Sequence, residues 1–307
     1  MAGRKSRRLV DGVILLNKPP GLSSQQAVSR VRGLFNAAKA GHTGTLDPAA
    51  DGLLPVCLGE ATKFTQLLLD ADKSYRARLV LGVTTTTGDA EGEVLARKPP
   101  ITDRVRVEEV VARFHGNISQ IPPMYSALKH QGKPLYEFAR AGVELHREAR
   151  NISIHEIQVI VFEENYFDMQ VRCSKGTYIR TLAVDIGEAL GCGASLRALT
   201  RTGIGDFTLD DARVQTLPGL EALTLEARDV CLLPVDLLAG NLPELALDEA
   251  LAARVMSGQR LPNGTAPVAG LVRLYGPHRR FLGMAEVDGE GRVAPRRLLS
   301  TEATGAA

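Results

Sequence analysis

The segment GHTGTLDPAADG, at residues 41–52, holds the densest group of chemically useful and turn-forming residues in the chain. Its three glycines allow the backbone to approach a ligand closely, His42 offers a flat polar ring, and Asp47 supplies a carboxylate. Because Pro48 follows Asp47, the local pattern alone favours a helix capped by Asp47 and beginning at Pro48. The rest of the chain must therefore decide whether this segment is a site.

Two kinds of site are disfavoured by the same segment. It has no G-x-x-x-x-G-K-[ST] pattern for cradling phosphates, and no second cluster of ligands has suitable metal spacing. A metal-dependent hydrolase that uses Asp47 and Asp51 stays open as a minor alternative.

Short strands and helices flank the segment on both sides. On its N-terminal side, residues 13–16 form an apolar run typical of a strand, and Ser23 or Ser24 is expected to cap a helix that ends near residue 35. On its C-terminal side, a helix is expected at about 60–70, and alternating apolar residues predict a half-buried strand at 74–81.

Strands and helices continue through the middle of the chain in no strict alternation. A helix is expected around 107–114, strands at 152–162 and 167–173, and a further helix at 177–190 that ends at Gly191. This mixture predicts an α+β protein with a mixed, largely antiparallel sheet.

A long irregular excursion interrupts this pattern at about 121–150. It begins IPPMYSALKHQGKPLYEFARAG and combines prolines, glycines, aromatic residues and bases, with one short helix expected near 135–141. Excursions of this length in compact domains tend to carry function.

The character of the chain changes at AGNLPELALDEA, residues 239–250. A short helix near 248–257 is followed by three strand-like runs separated by Gly, Pro and Asp, which predict a small module resembling a β-barrel. The sequence therefore predicts two domains, residues 1–246 and residues 247–307.

Composition narrows the class of protein. The 307 residues are 44% hydrophobic and 23% charged, as in ordinary soluble proteins, and no apolar run is long enough to cross a bilayer. The basic N-terminus lacks the apolar stretch of a secretory signal, so we expect a cytoplasmic protein. The four cysteines are far apart without a C-x-x-C pair, which favours reduced thiols over zinc or disulfides.

The net charge of only +2 does not announce a polyanionic partner, but basic residues are grouped along the chain. Local groups of this kind can hold nucleic acid despite a balanced total, although ordinary solvated surface explains them equally well. The groups are Arg4, Lys5, Arg7 and Arg8; Lys129, Lys133, Arg140, Arg147 and Arg150; and Arg279, Arg280, Arg292, Arg296 and Arg297.

Several motifs together resemble the TruB family of tRNA pseudouridine synthases, in order and spacing over nearly the whole chain. The match at GHTGTLDP is long enough to be specific, and the C-terminal module more weakly resembles a PUA-type RNA-binding domain. The other matching motifs are DGVILLNKPPGLSS at 11–24, DKSYRARLVLG at 72–82, IPPMYSALKHQGKPLYEFAR at 121–140, CSKGTYIRTLAVDIG at 173–187, LRALTRTGIGDF at 196–207, and GLVRL and GRVAPRRLL at 270–274 and 291–299.

The resemblance implies a pseudouridine synthase fold and three catalytic residues. Asp47 matches the family's essential aspartate, Arg180 the arginine that pairs with it, and Tyr75 the tyrosine that stacks on the target base. Taken singly, Arg180 resembles an ordinary helix-face cation and Tyr75 a core residue.

Four further positions match residues that bind the substrate. His42 matches the residue that fills the space left by the everted base, Tyr178 and Leu199 match the wall of the uridine pocket, and Lys18 matches a lysine that braces the site. Simple packing is an alternative for Tyr178 and Leu199.

The implied reaction converts uridine 55 in the TΨC loop of tRNA to pseudouridine. Isomerisation gains and loses no atoms, so no cofactor and no metal is expected, and one carboxylate is sufficient in principle. The expected partner is the T stem-loop of tRNA, with no membrane and no obligate protein partner, so we expect a monomer. A non-catalytic RNA-binding protein is the main alternative, although a binder has no need of the carboxylate.

Overall fold

The computed structural model describes residues 7–300, so Arg4 and Lys5 of the basic N-terminus lie outside the described residues. This range contains eighteen strands, eight α-helices and three short 3-10 helices. The strands are β1 (Gly12–Lys18), β2 (Ala40–His42), β3 (Asp51–Leu58), β4 (Lys73–Leu81), β5 (Val83–Thr85), β6 (Val94–Arg97), β7 (Gly116–Gln120), β8 (Lys129–His130), β9 (Lys133–Pro134), β10 (Arg150–Phe162), β11 (Tyr166–Cys173), β12 (Ala194–Ile204), β13 (Phe207–Thr208), β14 (Gln215–Thr216), β15 (Glu244–Ala246), β16 (Gly270–Tyr275), β17 (Phe281–Val287) and β18 (Val293–Leu298). The α-helices are α1 (Ser24–Leu34), α2 (Thr65–Asp70), α3 (Arg104–Ala112), α4 (Leu135–Arg140), α5 (Ile179–Leu190), α6 (Leu217–Ala222), α7 (Leu225–Val230) and α8 (Glu249–Met256), and the 3-10 helices are Gly59–Phe64, Val235–Ala239 and Pro277–Arg279.

A ten-stranded sheet forms the body of the protein. Eight of its strands follow the order β14-β1-β3-β12-β4-β11-β10-β7, with β2 paired to β3 and β13 to β12. Only the pairs β1/β14 and β3/β12 are parallel. The prediction of a mixed, largely antiparallel sheet is therefore confirmed.

Strand β4 lies near the middle of this sheet and shows why its sequence forms a strand. The alternating residues Ala77, Leu79 and Leu81 are buried on one face, where they pack with Leu182 and Ile186 of α5. A period of two places every second side chain on the same face of a strand. The sheet is thus anchored to the helix that carries Arg180.

Helices α1 and α5 begin and end at the signals expected from the sequence. At the start of α1, the Ser23 hydroxyl accepts a hydrogen bond from the Gln26 amide, and the Gln26 side chain accepts one from the Ser23 amide, which completes a capping box. Helix α5 ends at Gly191, whose φ of 82° is a left-handed conformation that glycine adopts readily.

The helix predicted to begin at Asp47 and Pro48 is wrong. The carbonyl of Asp47 instead accepts a hydrogen bond from the Ala50 amide at 3.1 Å in a tight turn that leads into β3. No amide of this turn is capped by the Asp47 carboxylate, which pairs with a distant cation instead. The local cap signal was overridden by this long-range contact.

The C-terminal strands form a second sheet in the order β15-β16-β17-β18, packed against α8. The predicted module is confirmed, but within residues 7–300 its strands form an open sheet rather than a closed barrel. The module packs on the ten-stranded sheet through Met284 and Phe281, and the centre of the Phe281 ring lies 5.5 Å from that of the Phe64 ring.

None of the helices within residues 7–300 is a candidate for spanning a membrane. The longest helix, α5, has twelve residues, and none is long and apolar enough to span a bilayer.

The parallel contact between β3 and β12 brings Gly52 against the backbone of Arg201. Gly52 has a φ of 104°, and a Cβ atom built there would lie 2.4 Å from the Arg201 carbonyl oxygen and 2.7 Å from its nitrogen. Only glycine permits this approach, which fixes the end of the 41–52 segment on the sheet.

We expect Gly52→Ala to lower the free energy of unfolding by more than the ~1–3 kcal/mol that backbone strain alone costs, because the new methyl group also collides with backbone atoms. Gly176→Ala is the matched control, since Gly176 has a φ of 81° but no atom within 4 Å of the added methyl group. Urea unfolding of both variants measures the difference. Equal losses of stability would contradict the close approach.

Candidate active site

The loop between β2 and β3 is held by one side chain from the end of β1 and one from the start of α1. The Ser24 hydroxyl donates to the carbonyl and accepts from the amide of Leu46, at 3.0 and 2.7 Å. The buried ammonium of Lys18 donates to the carbonyls of Pro19 and Leu22, at 2.9 and 2.8 Å, and approaches that of Pro48 at 3.5 Å. These contacts fix the backbone on both sides of Asp47.

Asp47 and Arg180 form an ion pair, although 133 residues separate them. A terminal nitrogen (Nη2) of Arg180 donates to Oδ2 of Asp47 at 2.7 Å. The arginine side chain is only 8% exposed, whereas the aspartate is 47% exposed. One end of the pair is therefore fixed in the protein, and the carboxylate remains accessible from solvent.

A second carboxylate, that of Asp89, lies on the same guanidinium. Its Oδ2 is 3.1 Å from Nε of Arg180, and its Oδ1 accepts from the Thr87 hydroxyl and the Glu91 amide. Arg180 thus bridges two carboxylates, and this bridge restricts the rotation of its planar guanidinium.

The start of α5 places Arg180 and Tyr178 together. Gln120, at the end of β7, binds the backbone of Tyr178 at both polar atoms: its amide nitrogen donates to the carbonyl at 3.1 Å, and its oxygen accepts from the amide at 2.8 Å. Burial raises the pKa of the Tyr178 phenol. The phenol is therefore neutral near pH 7.

Tyr75 and Leu199 lie where two of the hydrophobic cores on the ten-stranded sheet meet, and both pack against each of these cores. Leu199 also lines a small pocket of about 30 Å³ together with Asp47 and Asp89. Burial raises the pKa of Tyr75, and the negative charge of Asp47 contributes in the same direction. The phenol of Tyr75 is therefore protonated near neutral pH.

His42, the last residue of β2, bends back toward the loop that follows it. Its Nδ1 accepts a hydrogen bond from the Gly44 amide at 3.2 Å. Burial lowers the pKa of His42, and the positive charge of Arg201 lowers it further. The imidazole is thus neutral near pH 7, with its proton on Nε2.

The structure brings all seven predicted residues to the same region of the fold. Arg180 and Asp47 touch, Leu199 shares a pocket with Asp47, and His42 belongs to the same loop. The negative charge of Asp47 also acts to raise the pKa values of Lys18, Tyr75 and Tyr178.

Three neighbours of the site were not predicted from the sequence. Asp89 lies in the polar turn TTTTGDAEGE, Gln120 ends a short edge strand, and Arg201 is buried beneath the loop that carries Asp47. Arg201 belongs to the motif LRALTRTGIGDF, but nothing in that motif marks it as a buried residue.

An open cleft of about 480 Å³ separates the 121–150 excursion from α5. Arg180 lines it, as do Tyr125 and Arg147 of the excursion. The Tyr125 carbonyl also accepts a hydrogen bond from Nη2 of Arg180 at 3.2 Å. The excursion therefore contacts the ion pair directly.

Across residues 7–300, no group of three or more His, Cys, Asp or Glu side chains is arranged to hold a metal ion. Asp51 lies at the start of β3, and one of its carboxylate oxygens is buried without a hydrogen bond.

Comparisons with known proteins fit this architecture. The solved structure "Crystal Structure of a Cbf5-Nop10-Gar1 Complex" contains a chain similar to this one, with a TM-score of 0.73 and 27% identity, over 96% of this chain and 87% of that one. A chain in "Structure of H/ACA RNP bound to a substrate RNA containing 2'-deoxyuridine" is similar with a TM-score of 0.70 and 26% identity, over 94% and 85%. Fold and site together define a pseudouridine synthase.

Sequence matches identify the family of pseudouridine synthases to which the chain belongs. The "TruB family pseudouridylate synthase (N terminal domain)" matches residues 32–179, and two C-terminal domains of the same family match residues 180–239 and 243–299. The chain is 55% identical to "tRNA pseudouridine synthase B" of Azoarcus sp. (strain BH72), over 96% of this chain and 97% of that protein. It is 51% identical to the protein of the same name from Chromobacterium violaceum, over 98% of each. The chain belongs to the TruB family.

The lowered pKa of Lys18 predicts that the stability of the protein depends on pH. Burial lowers its pKa from 10.5 to about 8, so between these values the folded protein has released a proton that the unfolded chain still holds. Stability contributed by this residue must therefore rise with pH from about 8 to 10.5. Below pH 8, both states are charged and the cost of burying the charge is fully present.

We expect the free energy of unfolding of the wild type, relative to Lys18→Met, to increase across this window, because the variant has no ammonium to titrate. Urea unfolding at a series of pH values measures the difference. A difference that stays constant or falls as the pH rises would show that the lysine is not desolvated in the folded state.

Proposed function

We propose that this protein converts uridine 55 in the T loop of tRNA to pseudouridine, with Asp47 as the essential carboxylate. The observation that carries the proposal is the 2.7 Å ion pair between Asp47 and the buried guanidinium of Arg180. The names of its relatives, tRNA pseudouridine synthase B, support tRNA as the substrate. The assignment of position 55 rests on the resemblance of the sequence motifs to the TruB family.

The reaction breaks the bond from N1 of uracil to C1′ of ribose, turns the base, and joins C5 to C1′. Asp47 can attack C1′, attack C6, or remove the proton from C2′, and each route requires an ionised carboxylate with one accessible oxygen. Arg180 donates a hydrogen bond to Oδ2 of Asp47 and so orients the carboxylate, and Asp89 forms an ion pair with the same guanidinium from its Nε side. No redox step is needed, and we propose that no cofactor or metal takes part.

The neutral rings around Asp47 suit the handling of a base. Tyr75 offers an aromatic face for the uracil, and we propose that it assists the loss of the C5 proton. His42 is neutral and flat, so it can fill the space that the everted nucleotide leaves in the RNA stack. Stacking on such faces stabilises a base by about 1–3 kcal/mol.

We assign the remaining predicted residues to the pocket itself. Leu199 lines the small pocket beside Asp47 and Asp89, Lys18 braces the loop of Asp47 through backbone carbonyls, and we propose that Tyr178 supplies a further wall when the base is bound. The pocket measures only about 30 Å³, so we propose that its walls move apart to admit a uracil when RNA binds.

Access to the target also has a cost on the RNA side. An atom inside a stacked loop is unreachable, so the nucleotide must be extruded at a cost of a few kcal/mol. Contacts to phosphates offset this cost, and the 121–150 excursion provides cations for them, of which Arg147 lines the 480 Å³ cleft. These cations are Lys129, Lys133, Arg140, Arg147 and Arg150.

We further propose a division of labour between two domains, with a boundary near residue 246. The catalytic domain holds every residue assigned above, and the C-terminal module extends the contact along the tRNA. Strand β15 (Glu244–Ala246) pairs with β16 of the C-terminal sheet. This pairing favours a domain boundary a few residues before Ala246. Since one chain supplies the whole site, we propose that the enzyme acts as a monomer. We also propose that it acts in the cytoplasm.

Asp47→Asn keeps the size and shape of the side chain but removes the charge. We expect it to bind an unmodified tRNA transcript and to form no pseudouridine, because an amide is neither a nucleophile nor a base at this position. Chemical mapping of pseudouridine in the transcript measures the product and its position.

Asp51→Asn is the matched control, because it changes the other carboxylate of the same loop. We expect it to retain the wild-type rate, with or without a chelator in the assay. Product from Asp47→Asn would remove the assigned role. Loss of activity in both variants together with sensitivity to chelator would instead favour the metal-dependent hydrolase, and RNA binding by a wild type that makes no product would favour a non-catalytic binder.

Asp89→Asn is predicted to slow the reaction about tenfold or more while tRNA affinity changes little, because Arg180 loses its second anionic anchor and misplaces Asp47. Single-turnover kinetics at saturating tRNA separate the two effects. Glu91→Gln, at an exposed carboxylate two residues away, is the control and is expected to react at the wild-type rate. Wild-type kinetics for Asp89→Asn would mean that Asp47 alone positions the arginine.

A further inference from the structure

Arg201 is the largest side chain that the fold buries completely. Its guanidinium donates three hydrogen bonds to backbone carbonyls: Nε to Leu53 at 2.7 Å, Nη2 to Gly44 at 3.2 Å, and Nη1 to Thr45 at 3.4 Å. Two of these carbonyls lie in the loop that carries Asp47, and the third lies in the strand that follows it. One side chain therefore spans the loop from its beginning to its end.

This buried cation has no carboxylate partner. In the part of the chain that the structure describes, no Asp or Glu oxygen lies within 4.0 Å of the Arg201 guanidinium, although buried arginines are normally paired. Tyr75 is the direct partner of Arg201 across β12 and β4, which places the two side chains next to each other on one face of the sheet. The charge therefore lies between the loop that carries Asp47 and Tyr75.

Two glycines of the 41–52 segment lie against this arginine. Gly52 packs on its backbone, where a Cβ atom would collide, whereas a Cβ atom at Gly44 would make an ordinary contact of 3.5 Å with its Nη1. The sequence interpretation assigned these glycines to the approach of a ligand, but the structure shows them against Arg201. The loop is therefore shaped around this arginine.

We propose that Arg201 is a positioning residue of the reaction: its guanidinium holds the carbonyls of the loop that carries Asp47, its backbone pairs with Tyr75 across the sheet, and it so fixes the carboxylate and the aromatic ring relative to each other. This inference rests on the proposed function, because it assigns Asp47 and Tyr75 to one substrate.

The same arrangement has an electrostatic consequence for Tyr75. The charged or titratable groups that act on its phenol are Arg201 on β12, Cys173 on β11 and Asp47 in the loop. Burial raises the pKa of Tyr75, and the positive charge of Arg201 opposes that rise. Removal of the arginine charge must therefore raise the pKa of Tyr75 further.

The experiment compares the full-length wild type with Arg201→Gln, which removes the charge, and Arg201→Lys, which retains it but cannot span three carbonyls. Lys73→Gln is the matched control: Lys73 is also a buried cation on β4, but its ammonium donates to the carbonyls of Leu69 and Ala71 rather than to the loop. Single-turnover rates at saturating tRNA, tRNA affinity, and a carbon-13 NMR titration of labelled tyrosines are measured, with Tyr75→Phe identifying the Tyr75 signal among six.

We expect both Arg201 variants to lose about 10- to 100-fold in single-turnover rate, with tRNA affinity changed by less than about threefold, because misplacement of the reacting groups affects the chemical step. Arg201→Gln should raise the pKa of Tyr75, and Arg201→Lys should leave it closer to the wild-type value. Lys73→Gln should lose stability but keep both the rate and the Tyr75 signal of the wild type.

Wild-type rates in the Arg201 variants, or an unchanged Tyr75 titration in Arg201→Gln, would overturn the proposal. An equal loss of rate in Lys73→Gln would do the same, because it would reduce the role of Arg201 to general stability. If Arg201→Gln does not fold, the rate of Arg201→Lys decides. The titration requires no RNA, so a wild type that makes no pseudouridine refutes the proposed function while the Tyr75 signal still tests Arg201.

Discussion

The ion pair between Asp47 and Arg180 is the contact on which the rest of the site depends. It joins a tight turn after β2 to the first turn of α5, and it forms only because the central sheet brings β3, β12 and β4 side by side. Asp89 restrains the guanidinium from its other side. The proposed reaction uses this accessible carboxylate, which the paired guanidinium holds in place.

Buried cations maintain the loop that presents this carboxylate. Lys18 and Arg201 donate mainly to backbone carbonyls, so the fold tolerates the desolvation of two positive charges to hold one short segment in place. Burying a charge is unfavourable unless its donors are satisfied, and here carbonyl oxygens satisfy them. Burial and the charge of Arg201 lower the pKa of His42 and keep it neutral near pH 7, which links the geometry of the loop to the protonation of its imidazole ring.

Much of the fold could be predicted because alternation and capping are local signals. The strand at 74–81 and the capped helix from Ser23 follow from neighbouring residues alone. The cap assigned to Asp47 was wrong because a distant arginine competes for its carboxylate, and no local pattern contains that partner. The contacts of Asp89 and Arg201 escaped prediction for the same reason, since each depends on strand order rather than on sequence spacing. The C-terminal strands were recognisable, but whether they close into a barrel depends on pairing that the sequence does not encode locally.

The central claim is that an everted uridine meets Asp47 while this carboxylate remains on Arg180. A crystal structure of the wild-type protein with a T stem-loop RNA that carries 5-methyluridine at the target position tests it most directly, because the methyl group blocks the new bond at C5. The account predicts an extruded base against Tyr75, with an oxygen of Asp47 within about 3.5 Å of the sugar or of C6, the near-attack distance. A target base still stacked in the RNA loop, or one bound away from Asp47, would contradict it.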